Sequence, residues 1–279
     1  MSRRHHRTPT GRGPAISVVN GYLTEAKMSE LIKKLERISG EKGQPLGFGA
    51  TAKPKSAPMM LIARLPKVET GIVNSAISKG AEALLFDVKD PNDQAEAFSQ
   101  IVSSVGQIPW GVRLKTADIE GIGKLADAGC DYLVFGSEVS AQILGTEKMG
   151  KVLEVDTSLS DSLARAIGQL SIDAILLNRG DESPLTLYRL MQCQRLISLA
   201  GKPALAFLPP NTSYVETLRD IGVGGVVIDL SGEHPEERLS VVREAIQKLP
   251  TSKSKSRERI SATLPMVVQS TDEEFDEEI

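Results

Sequence analysis

Short apolar runs in this chain repeatedly end on side chains that can do chemistry. Arg64 closes Met60–Leu65, and Asp87 closes Ala83–Val88 with Lys89 just beyond it. Arg113 and Lys115 finish the run from Trp110, and Glu154 and Asp156 finish the run from Val152. Asn178 and Arg179 follow Ala174–Leu177, while Asp229 and Ser231 end the run from Val226. Extended chain alternates its side chains with a period of two, so Asp87 shares a face with Lys89, Arg113 with Lys115, and Glu154 with Asp156. Gathered in one place, these groups offer three chemistries. Arg64, Arg113 and Lys115 would grip an anionic substrate or a phosphate, because the guanidinium fork matches carboxylate and phosphate geometry. Lys115, desolvated beside Arg113, would be an amine able to form a Schiff base with a carbonyl substrate. Asp87, Glu154 and Asp156 would hold magnesium or act as general base. Asn178, Arg179, Asp229 and Ser231 complete the substrate-binding set. The alternative for any one of them is a salt-bridge layer that caps the core and binds nothing.

Other motifs are excluded by their context. Gly145-Thr-Glu-Lys-Met-Gly150-Lys151 spells a P-loop as far as its lysine, but Val152 stands where a magnesium-binding Ser or Thr is needed. That stretch also leads into a strand rather than from a strand into a helix. There is no Rossmann glycine fingerprint, zinc-ligand spacing or Gly-x-Ser-x-Gly elbow. His5 and His6 lie near the N-terminus, which leaves His234 alone in the body and excludes a mechanism built on two histidines. His234 precedes Pro235, a residue suited to the first turn of a helix, so it reads as the start of the last helix before it reads as an acid or base.

The elements that must position these groups follow a regular plan. An amphipathic helix covers about 28–39, with Met28, Leu31, Ile32, Leu35 and Ile38 on one stripe and Gly40 at its end. Eight runs rich in Val, Ile, Leu and Ala then follow: Met60–Leu65, Ala83–Val88, Trp110–Leu114, Tyr132–Gly136, Val152–Asp156, Ala174–Asn178, Ala204–Leu208 and Val226–Leu230. Each precedes a helical stretch, at a spacing of roughly 20–30 residues that suits parallel strands joined by crossover helices. Near-continuous apolar runs are what a sheet covered on both faces requires. The approaches to the strands alternate between two spellings. One is Gly-x-Pro-like, at Gly106-Gln-Ile-Pro109 and Gly201-Lys-Pro203, with looser copies at Ala57-Pro58 and Gly150-Lys151. The other is glycine followed by an acidic or small residue, at Gly80-Ala-Glu82, Gly129-Cys-Asp131 and Gly222-Val-Gly224, with Ser171-Ile-Asp173 as a variant. Each glycine is expected to end a helix in a left-handed turn. The alternation suggests four copies of a βαβα quarter, and the whole predicts a (β/α)₈ TIM barrel over 28–250. One stretch stands outside the plan: Gly43-Gln-Pro-Leu46-Gly-Phe-Gly-Ala50, read either as a short extra strand closing the barrel floor or as the first strand of a distorted barrel.

Composition agrees with one domain of this kind. The chain has 279 residues, 41% of them hydrophobic and 25% charged, and barrels of about 250 residues form single domains. Residues 1–27 are polar and basic, and residues 251–279 run from a Lys/Arg cluster to an acidic end, so both are expected to be disordered tails. The net charge of −3 argues against a nucleic-acid coat or an acidic membrane surface as partner. No apolar run is long enough to span a bilayer, and the basic start lacks the apolar stretch of a signal peptide, so cytoplasm is the expected compartment. Cys130 and Cys193 lie far apart in apolar stretches and are expected to be reduced, packed thiols.

Two stretches carry a family likeness: Leu125-Ala-Asp-Ala-Gly-Cys-Asp-Tyr-Leu-Val-Phe-Gly136 and Leu218-Arg-Asp-Ile-Gly-Val-Gly-Gly-Val-Val-Ile-Asp229. They resemble the helix–Gly–strand steps of phosphate- and flavin-binding barrels, such as nitronate-monooxygenase-like and indole-glycerol-phosphate-synthase-like proteins. The resemblance covers the barrel and implies a small-molecule enzyme, with FMN or a divalent metal as the cofactors to consider. Where those families place phosphate-binding glycines, after the last two strands, this chain has Phe207-Leu-Pro-Pro210 and Ile228-Asp-Leu-Ser231, with Gly232 as the nearest glycine. Two functions therefore compete: an enzyme acting on a small anionic or carbonyl-containing metabolite at the C-terminal rim, and a catalytically inactive barrel that binds partners as a scaffold.

Overall fold

A computed structural model describes residues 16–19, 22–25, 28–40, 57–88, 98, 105–116, 119–178, 185–209, 212–232 and 234–250. Lys89, Arg179, the 43–50 stretch, most of the N-terminal tail and all of 251–279 lie outside the described residues. Within the span read as the N-terminal tail, β1 (Ile16–Val19) and β2 (Tyr22–Glu25) pair antiparallel, with Val19 opposite Tyr22. Asn20-Gly21 lies between them, the dipeptide that most strongly favours a two-residue hairpin turn.

The body is a closed barrel of eight parallel strands. In chain order these are β3 (Met60–Leu65), β4 (Ala83–Val88), β5 (Trp110–Leu114), β6 (Tyr132–Phe135), β7 (Gly150–Val155), β8 (Ala174–Leu177), β9 (Ala204–Phe207) and β10 (Val223–Asp229). β10 pairs directly with β3, Asp229 opposite Arg64, so the barrel closes without the 43–50 stretch. Around it lie α2 (Thr70–Ser78), α3 (Ile119–Asp127), α4 (Asp161–Gln169), α5 (Leu187–Ala200), α6 (Tyr214–Asp220) and α7 (Pro235–Lys248). Among the described residues the glycines with positive φ are Gly80, Gly106, Gly129, Gly201 and Gly222, all at the helix-to-strand turns where the repeat placed them. Gly150 differs. It is the first residue of β7, and a Cβ there would come within 2.7 Å of Ile32 and 2.8 Å of the Ser29 hydroxyl. Its lack of a side chain makes room for a helix rather than for a turn.

That helix is α1 (Glu30–Gly40), which packs across the N-terminal end of the barrel. Leu31, Ile32 and Leu35 are buried in one cluster with Met60, Ile62, Ala83, Leu85, Tyr132, Val134, Val152, Ala174, Leu176, Leu205 and Val227, the side chains that fill the barrel interior. Met28, expected on the buried stripe, precedes the helix and is exposed. The start of α1 is held by a distant carboxylate. Asp131 accepts hydrogen bonds from the backbone N–H of Glu30 at 2.8 Å, from that of Leu31 at 2.9 Å and from the Ser29 hydroxyl at 2.7 Å. Negative charge at a helix N-terminus meets the orphan N–H groups and the positive end of the dipole. A second cluster, between the strands and the outer helices, contains Phe86, Phe98 and Trp110, with Phe98 stacked on Trp110 at 5.0 Å.

Candidate functional site

Following the period of two upward from the apolar interior leads to the next inward positions: Arg64 above Ile62, Asp87 above Leu85, Arg113 above Gly111, Glu154 above Val152, Phe207 above Leu205 and Asp229 above Val227. This layer sits at the C-terminal ends of the strands, the face where barrels of this type carry their active sites. Its charged members form one chain across the mouth. Arg64 donates through Nε to Asp87 Oδ1 at 3.2 Å and through Nη2 to Asp87 Oδ2, and its Nη1 reaches Asp229 Oδ2 at 2.6 Å. Arg113 donates to both oxygens of Glu154, from Nε at 2.6 Å and from Nη2 at 2.7 Å. Its Nη1 lies 3.9 Å from Asp87 Oδ1, which joins the two halves. The connected order is Asp229–Arg64–Asp87–Arg113–Glu154. The Arg64 guanidinium also lies over the Phe207 ring, 5.8 Å from its centroid, a contact that favours a flat cation.

Glu154 is the most enclosed of the five, with 9% of its side chain exposed. The paired Glu154 raises the pKa of Arg113 above the ordinary guanidinium value, mainly through the hydrogen bonds between them. Burial opposes this effect, and the charges of Glu154, Asp87 and Asp229 add to it.

Not every residue read from the sequence joins this chain. Lys115 lies past the end of β5, exposed, and forms no hydrogen bond or ion pair among the described residues. The alternation that put it beside Arg113 stops where the strand stops, so it is not the desolvated amine that the Schiff-base reading assumed. Asp156 also lies beyond its strand and is exposed; its Oδ1 accepts the Ser158 N–H at 2.7 Å. That bond and the Ser158 hydroxyl hold its pKa below the usual carboxylate range. Asp87, Glu154 and Asp156 therefore do not form one magnesium-holding set, and no group of three potential metal ligands occurs among the described residues. Asn178 is exposed at the rim, its main-chain carbonyl accepting from Arg189 Nη2 at 2.7 Å. Ser231 turns back onto Asp229, donating its N–H at 2.9 Å and its hydroxyl at 2.6 Å to Oδ1. His234 is the N-cap of α7 with φ 49°, ahead of Pro235, and is exposed. Phe207 escaped the sequence reading, although Ala204–Phe207 with Leu205 inside would have placed it inward.

In the loops after the last two strands, where barrels often seat a phosphate, several main-chain donors among the described residues are already taken. The Leu208 N–H donates to the Val227 carbonyl at 3.0 Å, and the Leu230 N–H to the Arg64 carbonyl at 2.9 Å. Pro209 has no N–H, and the Ser231 N–H is taken by Asp229. These N–H groups are not open to the phosphate of FMN.

Cys130 and Cys193 are free and buried, as expected. Burial pushes both thiols above their ordinary pKa. Among the described residues no helix is long and apolar enough to cross a membrane.

Fold and mouth together define the chain as a (β/α)₈ barrel. Comparison with solved structures agrees. It is similar to a tryptophan synthase structure from M. tuberculosis with TM-score 0.59 and 12% identity, covering 80% of this chain and 100% of that one. It is also similar to the thiamine phosphate pyrophosphorylase from Pyrococcus furiosus (TM-score 0.53, 13% identity, 68% of this chain and 95% of that one). The phosphoribosyl anthranilate isomerase from Thermus thermophilus is a third such neighbour, with TM-score 0.53, 14% identity and coverage of 69% and 100%. Identities this low speak to the fold. No family model matches the chain, and no curated protein matches it in sequence.

Proposed function

We propose that this barrel is a cytoplasmic enzyme acting on a small anionic or carbonyl-containing metabolite at its C-terminal rim. One observation carries the reading. Five ionisable side chains from five different strands meet in a single layer above an interior that is otherwise apolar. Stability does not account for them, because partly buried ion pairs cost about as much in desolvation as they return in attraction. In the proposed site Arg113 and Arg64 receive the anionic group or polarise the carbonyl. Asp87 stands between the two guanidiniums, where it can take or return a proton, and Glu154 fixes the direction of Arg113. Lys115, Asp156, Asn178 and Ser231 lie at the rim, Arg179 joins them in this proposal only by its place after Asn178 in the sequence, and Lys115 is the amine available to a carbonyl substrate that reaches the rim. The neighbours named above are enzymes by name, which favours the same class.

A second reading, an inactive barrel used for binding, is favoured by the network itself, since its carboxylates and guanidiniums already serve one another. A thermal-shift screen of the purified chain against keto acids, amino acids, sugar phosphates and divalent metals separates the two. The enzyme reading expects stabilisation by at least one metabolite and its loss in Arg113→Met; no shift with any compound defeats it. Borohydride reduction with keto acids tests Lys115, and an unmodified lysine removes it from the chemistry.

A further inference from the structure

The charges at the mouth are unequal, and their arrangement narrows the ligand. Two guanidiniums, Arg64 and Arg113, face three carboxylates, Asp87, Glu154 and Asp229. The imbalance is concentrated at the β10 side, where a phosphate would be seated in many barrels. There Asp229 occupies the layer, and the neighbouring N–H groups of Leu208, Leu230 and Ser231 are already engaged. The first turn of α7 adds Glu236 and Glu237; of the cations on this side, Arg64 is already paired with Asp229 and Asp87, and Arg238 donates to the main-chain carbonyl of Asp229 at 3.4 Å. A phosphate dianion entering here would meet carboxylates instead of donors. The opposite side of the mouth differs. Arg113 Nε and Nη2 are occupied by Glu154, whereas Nη1 makes no hydrogen bond among the described residues and has only the 3.9 Å contact to Asp87. A guanidinium nitrogen with donors to spare, on a side chain 27% exposed, suits a carboxylate or carbonyl oxygen.

We infer that the ligand of this mouth is an amino-acid-like zwitterion. Its carboxylate is received by Arg113 Nη1, and its ammonium group is presented to Asp87 and Asp229. This rests on the mouth being the functional site and deepens that reading by naming the substrate class. A ligand with one charge of each sign leaves the mouth's balance unchanged. It sets a cation beside the carboxylates and adds an acceptor for the available guanidinium nitrogen. A phosphate ester satisfies neither condition at the β10 side.

The test uses the full chain and calorimetric titration with three matched series: α-amino acids, the corresponding 2-keto acids, and phosphate monoesters. The expected result is at least one amino acid whose affinity exceeds that of its keto acid by tenfold or more, with no phosphate monoester in that range. Asp229→Asn should weaken that amino acid tenfold or more. Asp87→Asn provides a second variant that keeps the shape of the carboxylate, and circular dichroism checks that both variants fold. A keto acid or phosphate ester that binds as tightly as the amino acids, and is lost in Arg113→Met, overturns the zwitterion while keeping the mouth as the site. Silence from all three series, or binding indifferent to Arg113→Met, overturns the site and the zwitterion with it.

Discussion

Replacing Arg113 by methionine tests whether the mouth network is kept for stability or for function. The substitution retains most of the aliphatic stem and removes both hydrogen bonds to Glu154, at 2.6 and 2.7 Å. Glu154, only 9% exposed, is then a buried carboxylate without its guanidinium. Removing one partner of a fully buried pair costs about 3–5 kcal/mol. Arg113 is 27% exposed, so water reaches part of the site and the expected loss is about 2–4 kcal/mol. For a domain of this size each kcal/mol shifts Tm by roughly 2–4 °C, which gives a fall of about 4–16 °C. The double variant Arg113→Met/Glu154→Leu removes the stranded charge and should return to within about 1 kcal/mol of the parent, because apolar replacement of an ion pair is often neutral. Thermal melts and urea titrations followed by circular dichroism and by Trp110 fluorescence supply the numbers. A single variant losing under 1 kcal/mol, or a double variant as unstable as the single, refutes the argument.

Other outcomes follow from features away from the mouth. Asp131→Ala removes three hydrogen bonds at the start of α1 and should cost about 2–3 kcal/mol in urea titration, since hydrogen bonds to a charged group contribute about 1.5–3 kcal/mol. Gly111→Ala sets a Cβ 2.4 Å from the Tyr132 carbonyl oxygen and 2.5 Å from its ring, so it should destabilise by about 3 kcal/mol or more. Gly123→Ala, on α3 with nothing within 4 Å, should instead stabilise by about 0.5–1 kcal/mol. Both cysteines should resist a thiol reagent at neutral pH until the chain is unfolded, because both are buried; labelling of the folded protein at the rate of an exposed thiol would contradict this. The folded pKa of Asp156 is depressed, so its contribution is present above the unfolded value and is lost as pH falls through the folded one. Compared with Asp156→Asn, the parent's advantage should shrink on acidification, a trend visible in melts at several pH values.

Much of the fold was legible because its physics is local. Strands covered on both faces must be apolar throughout, and glycines that end helices must take left-handed angles. The runs beginning at Met60, Ala83 and Trp110 and the turns at Gly80, Gly106, Gly129, Gly201 and Gly222 follow directly. Arg64, Asp87, Arg113, Glu154 and Asp229 were legible for a related reason: each continues the inward face of its strand by one step. Lys115 and Asp156 were set beside them by the same alternation, which no longer holds once the backbone leaves the strand. The role of Asp131 could not be read, since it depends on a helix about 100 positions earlier meeting the edge of β6. Gly150 was misassigned for the same reason. It was read as a turn, and its reason is the approach of Ile32 and Ser29. The pairing of β1 with β2 was missed because 1–27 was read by its polar composition alone, although Asn20-Gly21 stands between the two strands.

The helix that lies across the barrel floor has a consequence for how the chain assembles. It is synthesised before the barrel strands, yet the aspartate that anchors it comes about 100 residues later, and β10, against which it also packs, comes later still. During synthesis this segment must wait for nearly the whole body before it can settle. Long-range closure of that kind slows folding, and it ties the packing of α1 to completion of the last barrel strand.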